Sequence, residues 1–95
     1  MRNKYQINRI EFLMLRTLYD GGYKDCCYSM TINEIMDENL DDDNECILGA
    51  RLTVYKKLQK LLKASFIEKG ILDARADTYF ITEKGIKLIE ERVGV

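Results

Sequence analysis

The sequence predicts an α+β fold, mainly α, in which four helices carry a small two-stranded hairpin and one short earlier strand. Apolar residues recur every three or four positions within residues 7–19, 45–64 and 83–93, the spacing that a 3.6-residue turn needs to place them on one side. Two short runs rich in β-branched and aromatic residues, 66–72 and 78–81, flank the polar connector Asp73-Ala74-Arg75-Ala76-Asp77, as in a hairpin. The 95 residues, with no proline to mark a linker, suit one domain spanning 1–95 around a modest core.

Taken in order, the first helix is expected over residues 7–19 and ends at Asp20-Gly21-Gly22, because glycine readily leaves a helix in the left-handed conformation. Its apolar set, Ile7, Ile10, Phe12, Leu13, Met14, Leu15 and Leu18, wraps around more than one face. Such a helix is central, or is also buried against a second subunit. Residues 28–30 are assigned a short edge strand. Thr31-Ile32-Asn33-Glu34 then has the spacing of a capping box that starts a short second helix through Ile35 and Met36. An acidic stretch follows, with Asp37, Glu38, Asp41, Asp42, Asp43 and Glu45. Part of it is expected to cap the amides of the third helix and complement its dipole. That helix is placed at residues 45–64, and Thr82 is expected to cap a last helix over 83–93, whose apolar side is Ile86, Leu88 and Ile89.

The third helix carries the functional signal. Ile47, Ala50, Val54, Leu58 and Leu61 form an inward stripe, which leaves Leu52, Thr53, Lys56, Lys60 and Lys63 outward, with Arg51, Tyr55 and Lys57 on the shoulders. The net charge of −1 conceals an asymmetry: residues 1–50 have a balance of −5 and residues 51–95 of +4. Arg51, Lys56, Lys57, Lys60, Lys63 and Lys69 lie close in sequence, with Glu68 the only acid among them. On charge alone, a solvated face is the default account of such a run. A face of this kind also suits phosphate, since neutralisation depends on where cations sit and not on net charge.

The order helix, short strand, helix, helix, hairpin, helix is that of a winged helix-turn-helix. Thr53-Val54-Tyr55-Lys56-Lys57-Leu58-Gln59-Lys60-Leu61 followed by Phe66-Ile67-Glu68-Lys69 resembles the recognition helix and first wing strand of small bacterial transcriptional regulators of the MarR and PadR kinds. Tyr79-Phe80-Ile81-Thr82-Glu83-Lys84-Gly85 resembles their second wing strand and the helix after it. The resemblance covers residues 10–91. It implies a repressor that binds double-stranded DNA as a homodimer, with Arg51, Leu52, Thr53, Tyr55, Lys56, Lys57 and Lys60 in the major groove and Arg75 over the backbone or in the minor groove. The chemistry agrees: Lys and Arg bind phosphate oxygens, Thr and Tyr hydroxyls bond phosphate or base edges, and an outward leucine contacts a thymine methyl. Three features depart from the family pattern. Ser65 stands where glycine is usual at the turn out of the helix, the acidic stretch is long, and the extra helices through which many such regulators dimerise are missing. A homodimer would therefore use the first and last helices.

Other chemistries find little support. Without histidine there is no Ser-His or Cys-His dyad, and the glycines form no phosphate-cradling loop, so no enzymatic activity, cofactor or metal is expected. Asp41-x-Asp43-x-Glu45 begins like a calcium loop, but Cys46 and Leu52 occupy the positions that need glycine and glutamate. Cys26, Cys27 and Cys46 give neither a disulfide framework nor a Cys-x-x-Cys zinc spacing. The adjacent pair, which Cys46 could approach in the fold, could sense oxidants or soft metals, but adjacent cysteines bridge only with strain and only Lys24 is near to lower their pKa, so incidental burial is the simpler account. Tyr5, Tyr19, Tyr23 and Tyr28 are candidates for an interface or pocket near the first helix, with packing the commoner role. No apolar run reaches the roughly 20 residues of a membrane span, and the basic start at Arg2 and Lys4 is no signal peptide, so a cytoplasmic protein is expected. Two functional classes stay open: a DNA-binding regulator, and a winged-helix docking module that binds protein through its basic helix or its acidic stretch.

Overall fold

The structure, a computed structural model, describes residues 7–94. Helix α1 (Arg9–Asp20) is followed by strand β1 (Met30–Thr31), helices α2 (Ile32–Asp37) and α3 (Arg51–Lys63), strands β2 (Ile67–Lys69) and β3 (Thr78–Ile81), and helix α4 (Glu83–Val93). The sheet is antiparallel in the order β1-β3-β2, with Met30 opposite Tyr79 and Ile67 opposite Ile81. This is the winged order expected from the sequence.

Helix α1 is the central element, touching α2, α3, α4 and β3. Met14, Leu15 and Leu18 are buried against Ile35, Val54, Leu58, Leu61, Ile67, Ile81 and Ile89, while Ile10, Phe12 and Leu13 pack on the edge of this core. The width of its apolar set is therefore largely used within one chain. Its start is Arg9 and not Ile7, because Asn8 caps it: the Asn8 side chain accepts from the Glu11 amide at 2.8 Å and the Glu11 carboxylate accepts from the Asn8 amide at 3.1 Å. Asn8-x-x-Glu11 has the spacing of a capping box, a signal masked by the apolar Ile7 in front of it. The caps expected at Thr31 and Thr82 are seen as a full box with Glu34 and a hydroxyl bond to the Gly85 amide.

Three further boundaries differ from expectation. Helix α3 begins at Arg51, since Gly49 takes φ +109° and breaks any helix there; Ile47 is consequently exposed, and the inward stripe starts at Val54. The acidic stretch does not cap α3, whose N-cap Ala50 makes no side-chain bond. The Asp41 carboxylate instead accepts from the amides of Asp43 and Glu45, at 2.9 and 3.0 Å, closing a tight loop. A local side-chain bond has outcompeted the helix for that acid. Strand β1 lies two residues later than expected because Asp25 and Tyr28 bridge across their own turn. Strand β2 stops at Lys69 because the Ile71 amide turns to the Cys26 carbonyl, at 3.0 Å.

Ser65, at the exit of α3, takes φ +67°. The left-handed region costs an L-residue roughly 1–2 kcal/mol, partly offset in glycine by the freedom it loses on folding. Ser65→Gly is expected to stabilise the fold by about 0.5–1 kcal/mol, read as a higher urea midpoint at unchanged slope. The bond from the Thr82 hydroxyl to the Ser65 carbonyl survives the change, so a lowered midpoint would contradict the backbone account.

Candidate nucleic-acid interface

Burial of Val54, Leu58 and Leu61 fixes the rotation of α3 about its axis. Arg51, Leu52, Thr53, Tyr55, Lys56 and Lys60 are exposed as a result, and Lys57 is half-buried. Leu52, at 64% exposure, is the most open large apolar side chain among the described residues. Thr53, Lys56, Lys57 and Lys60 share a shallow groove with Asn8 and Glu11 at the start of α1. Arg51 leans the other way, its Nε donating to the Asn33 side chain of α2 at 3.3 Å. Tyr55 and Arg51 also stand near the buried Tyr79 of β3: burial pushes the Tyr79 hydroxyl pKa up, Asp77 and Tyr55 add to this, and Arg51 opposes it. The start of α3 is thus felt electrostatically at the base of the hairpin.

Lys60 has a structural partner that its outward position did not announce. Its Nζ lies 3.1 and 3.2 Å from the two oxygens of Glu11, an acid that is 1% exposed. This ammonium neutralises a buried carboxylate that is already half of the α1 capping box. Of the four lysines expected on this face, Lys60 is therefore the one that pairs with a buried acid among the described residues. Arg75 sits at the exposed hairpin tip, in the two-residue turn closed by the Asp73–Ala76 bridge. Pairing of Arg75 with its flanking aspartates is not seen among the described residues; Asp77 is engaged by Lys69 at 3.2 Å. Arg75 is not among the residues that line the α3 groove.

The loop 41–45 is exposed, and its base is tied down by Asn39, whose amide donates to the Thr17 hydroxyl at 2.9 Å and to the Ile35 carbonyl at 2.8 Å. Thr17 and Glu11 are six residues apart on α1, about 9 Å along its axis. The anchor of the acidic loop and the lysine groove thus occupy different ends of α1.

The remaining candidates resolve differently. Cys26 and Cys27 are exposed, against the expectation of burial, because they form the outer corner of the 25–28 turn; Cys46 is half-buried in the loop before α3. Among the described residues no group of three His, Cys, Asp or Glu side chains could hold a metal ion. Tyr19 donates to Glu90 of α4 at 3.2 Å and Tyr23 stacks on Tyr28 at 4.4 Å, and Tyr23 and Tyr19 also line two cavities beside α1; Tyr5 lies outside the described residues. No helix of the described residues is long and apolar enough to cross a membrane.

No family model matches the chain, and no curated protein does. Solved structures do. MepR of Staphylococcus aureus in complex with DNA is 22% identical with a TM-score of 0.71, the match covering 93% of this chain and 63% of that one. MepR solved as a transcription regulator of the S. aureus multidrug efflux pump MepA gives 21% identity, a TM-score of 0.72 and coverages of 94% and 57%. BpsR of Bordetella bronchiseptica, whose DNA binding is regulated by 6-hydroxynicotinic acid, gives 18%, 0.68, 96% and 56%. The chain spans about three-fifths of the length of these proteins. At these identities what is shared is the fold: the chain is a winged helix of the architecture that these regulators use.

Proposed function

We propose that the protein is a sequence-specific DNA-binding transcriptional regulator, a repressor that acts as a homodimer by occluding its operator. The observation that carries this reading is the α3 face, where Leu52, Thr53, Tyr55 and Lys56 are exposed opposite a stripe that holds the helix firmly in the core. It lies on a fold shared with a DNA-bound regulator. In helix-turn-helix proteins this helix enters the major groove with its N-terminal residues at the base edges. Leu52, Thr53 and Tyr55 accordingly read bases and Lys56 and Lys57 hold phosphate, Arg51 and Lys60 flank them in the groove while tied to Asn33 and Glu11, and Arg75 lies on the backbone or in the minor groove. Fluorescence anisotropy against genomic duplexes over a salt series tests the reading. Binding that is absent, or indifferent to salt, removes it in favour of a protein-docking module, for which the exposed acidic loop 41–45 is the supporting feature.

The two contact types separate by mutation. Arg75→Ala is expected to weaken binding to all sequences alike, whereas Leu52→Ala and Thr53→Ala, which remove no charge, should change base preference at one position with little change in salt slope. An unaltered footprint and affinity in Arg75→Ala would take the wing out of the interface.

Dimerisation is assigned to α1 and α4, where Ile10, Phe12, Leu13 and Ile86 stay partly open at the core edge and Val93 is exposed. A two-fold partner there would set two α3 helices roughly 34 Å apart, one turn of DNA. Sedimentation at micromolar concentration is expected to return a dimer. A monomer that still binds DNA tightly argues against the assignment.

A further inference from the structure

Cys26 and Cys27 are both exposed, with their sulfurs 3.8 Å apart. Their turn is well held: the Asp25 carboxylate accepts from the amides of Cys27 and Tyr28, each at 2.9 Å, and Tyr28 stacks on Tyr23. It is also fastened to the base of the wing. The Cys26 carbonyl accepts from the Ile71 amide at 3.0 Å, and Ser29 donates to Thr78 of β3 at 2.8 Å. Packing here is so close that a Cβ on Gly70 would fall 2.8 Å from the Cys26 oxygen.

Two sulfurs bonded at about 2.3 Å to one shared pyramidal trivalent atom, at an angle of about 100°, stand roughly 3.5 Å apart, so the pair needs to close by only a few tenths of an ångström. A disulfide would need about 2.05 Å between residues whose Cα atoms are only about 3.8 Å apart, closer than bridged cysteines normally stand. The pair is therefore better placed to chelate than to bridge. No third ligand of the His, Cys, Asp or Glu kind joins it among the described residues, and Asp25 is occupied by amides. A suitable guest must be satisfied by two thiolates and bring its own third substituent.

We propose that Cys26 and Cys27 form a chelating site for trivalent arsenic carrying one organic group, and that loading is transmitted to the wing through the Cys26 carbonyl. With an arsine oxide, two As–S bonds form, the arsenic–oxygen bond breaks, and the oxygen leaves as water with both thiol protons. Arsenic stays trivalent and no electrons are transferred. The chelate ring encloses the Cys26–Cys27 peptide group, whose oxygen holds the Ile71 amide, so closing the ring reorients that acceptor. Only a resulting change in DNA affinity rests on the proposed function; site and transmission are read without DNA.

The full chain is treated with phenylarsine oxide in excess 2-mercaptoethanol and examined by intact mass and hydrogen exchange. One adduct is expected, heavier by a phenylarsenic unit less two hydrogens, with loss of protection at the Ile71 amide. Cys46→Ser should keep the adduct. Cys26→Ser and Cys27→Ser, near-isosteric changes at exposed positions, should lose it. An adduct that the monothiol strips, or that persists in Cys26→Ser or Cys27→Ser, overturns the site. A stable adduct with unchanged Ile71 exchange overturns the transmission.

Discussion

Replacing Lys56, Lys57 and Arg75 together with alanine is expected to lower the slope of log affinity against log salt by about 2.7, since each phosphate contact contributes roughly 0.9. Lys56 and Arg75 are exposed and Lys57 half-buried, so truncation removes charge without opening the core. Lys60 is left out deliberately. Its ammonium is engaged by Glu11, and alanine there would mix a loss of stability with a loss of contact. Anisotropy between about 50 and 200 mM salt reads the slope directly; a triple variant with the wild-type slope would mean that these cations do not face phosphate. Circular dichroism and urea unfolding of the same variant should match the parent, because none of the three side chains belongs to the core. The effect should also be the same on every duplex, since phosphate contacts position the protein without reading sequence.

The parts of the fold governed by short-range rules were legible in the sequence. The capping box at Thr31, the cap at Thr82, the last helix at Glu83–Val93 and the strand Thr78–Ile81 depend on spacings of two to four residues. Ser65 is an awkward residue for the exit from α3 on sequence grounds too, and its positive φ bears this out. The start of α3 was not legible, because the acidic run has both the composition of a helix first turn and that of a self-capping loop. Gly49 and the Asp41 carboxylate decide between them, and only the folded loop shows which amides that carboxylate reaches.

The candidate site divides in the same way. Which α3 residues face outward followed from the stripe of Val54, Leu58 and Leu61, and the structure keeps that face. What the outward cations do depended on elements far away in sequence. Lys60 meets an acid 49 residues earlier, and Asp77, a sequence neighbour of Arg75, is taken by Lys69 from the adjoining strand. The exposure of Cys26 and Cys27 likewise depends on a turn fixed by Asp25 and by the distant Ile71. Periodicity assigns a face, but not the partner opposite it.

The Glu11–Lys60 pair carries the largest stability effect expected from a change on this face. Glu11 is buried and Lys60 half-exposed, with 2% and 51% of their side chains open. Removing one partner of a fully buried pair costs about 3–5 kcal/mol, and an exposed pair is worth no more than about 1 kcal/mol, so Lys60→Ala should cost about 2 kcal/mol. The cost arises mainly from leaving the carboxylate charged and unpaired, and not from the lysine contact itself. Glu11→Gln tests this: the amide oxygen can still accept from Asn8 in the capping box, the charge is gone, and the room vacated by the truncated lysine admits water to the amide nitrogen. In the Glu11→Gln background Lys60→Ala should cost under about 1 kcal/mol, a coupling of about 1 kcal/mol or more in a double-mutant cycle read by urea unfolding. Equal costs in the two backgrounds would show that Lys60 acts through its stem alone. Because the pair ties the last turn of α3 to the first turn of α1, the cycle also separates how the helix is held from what its outer face binds.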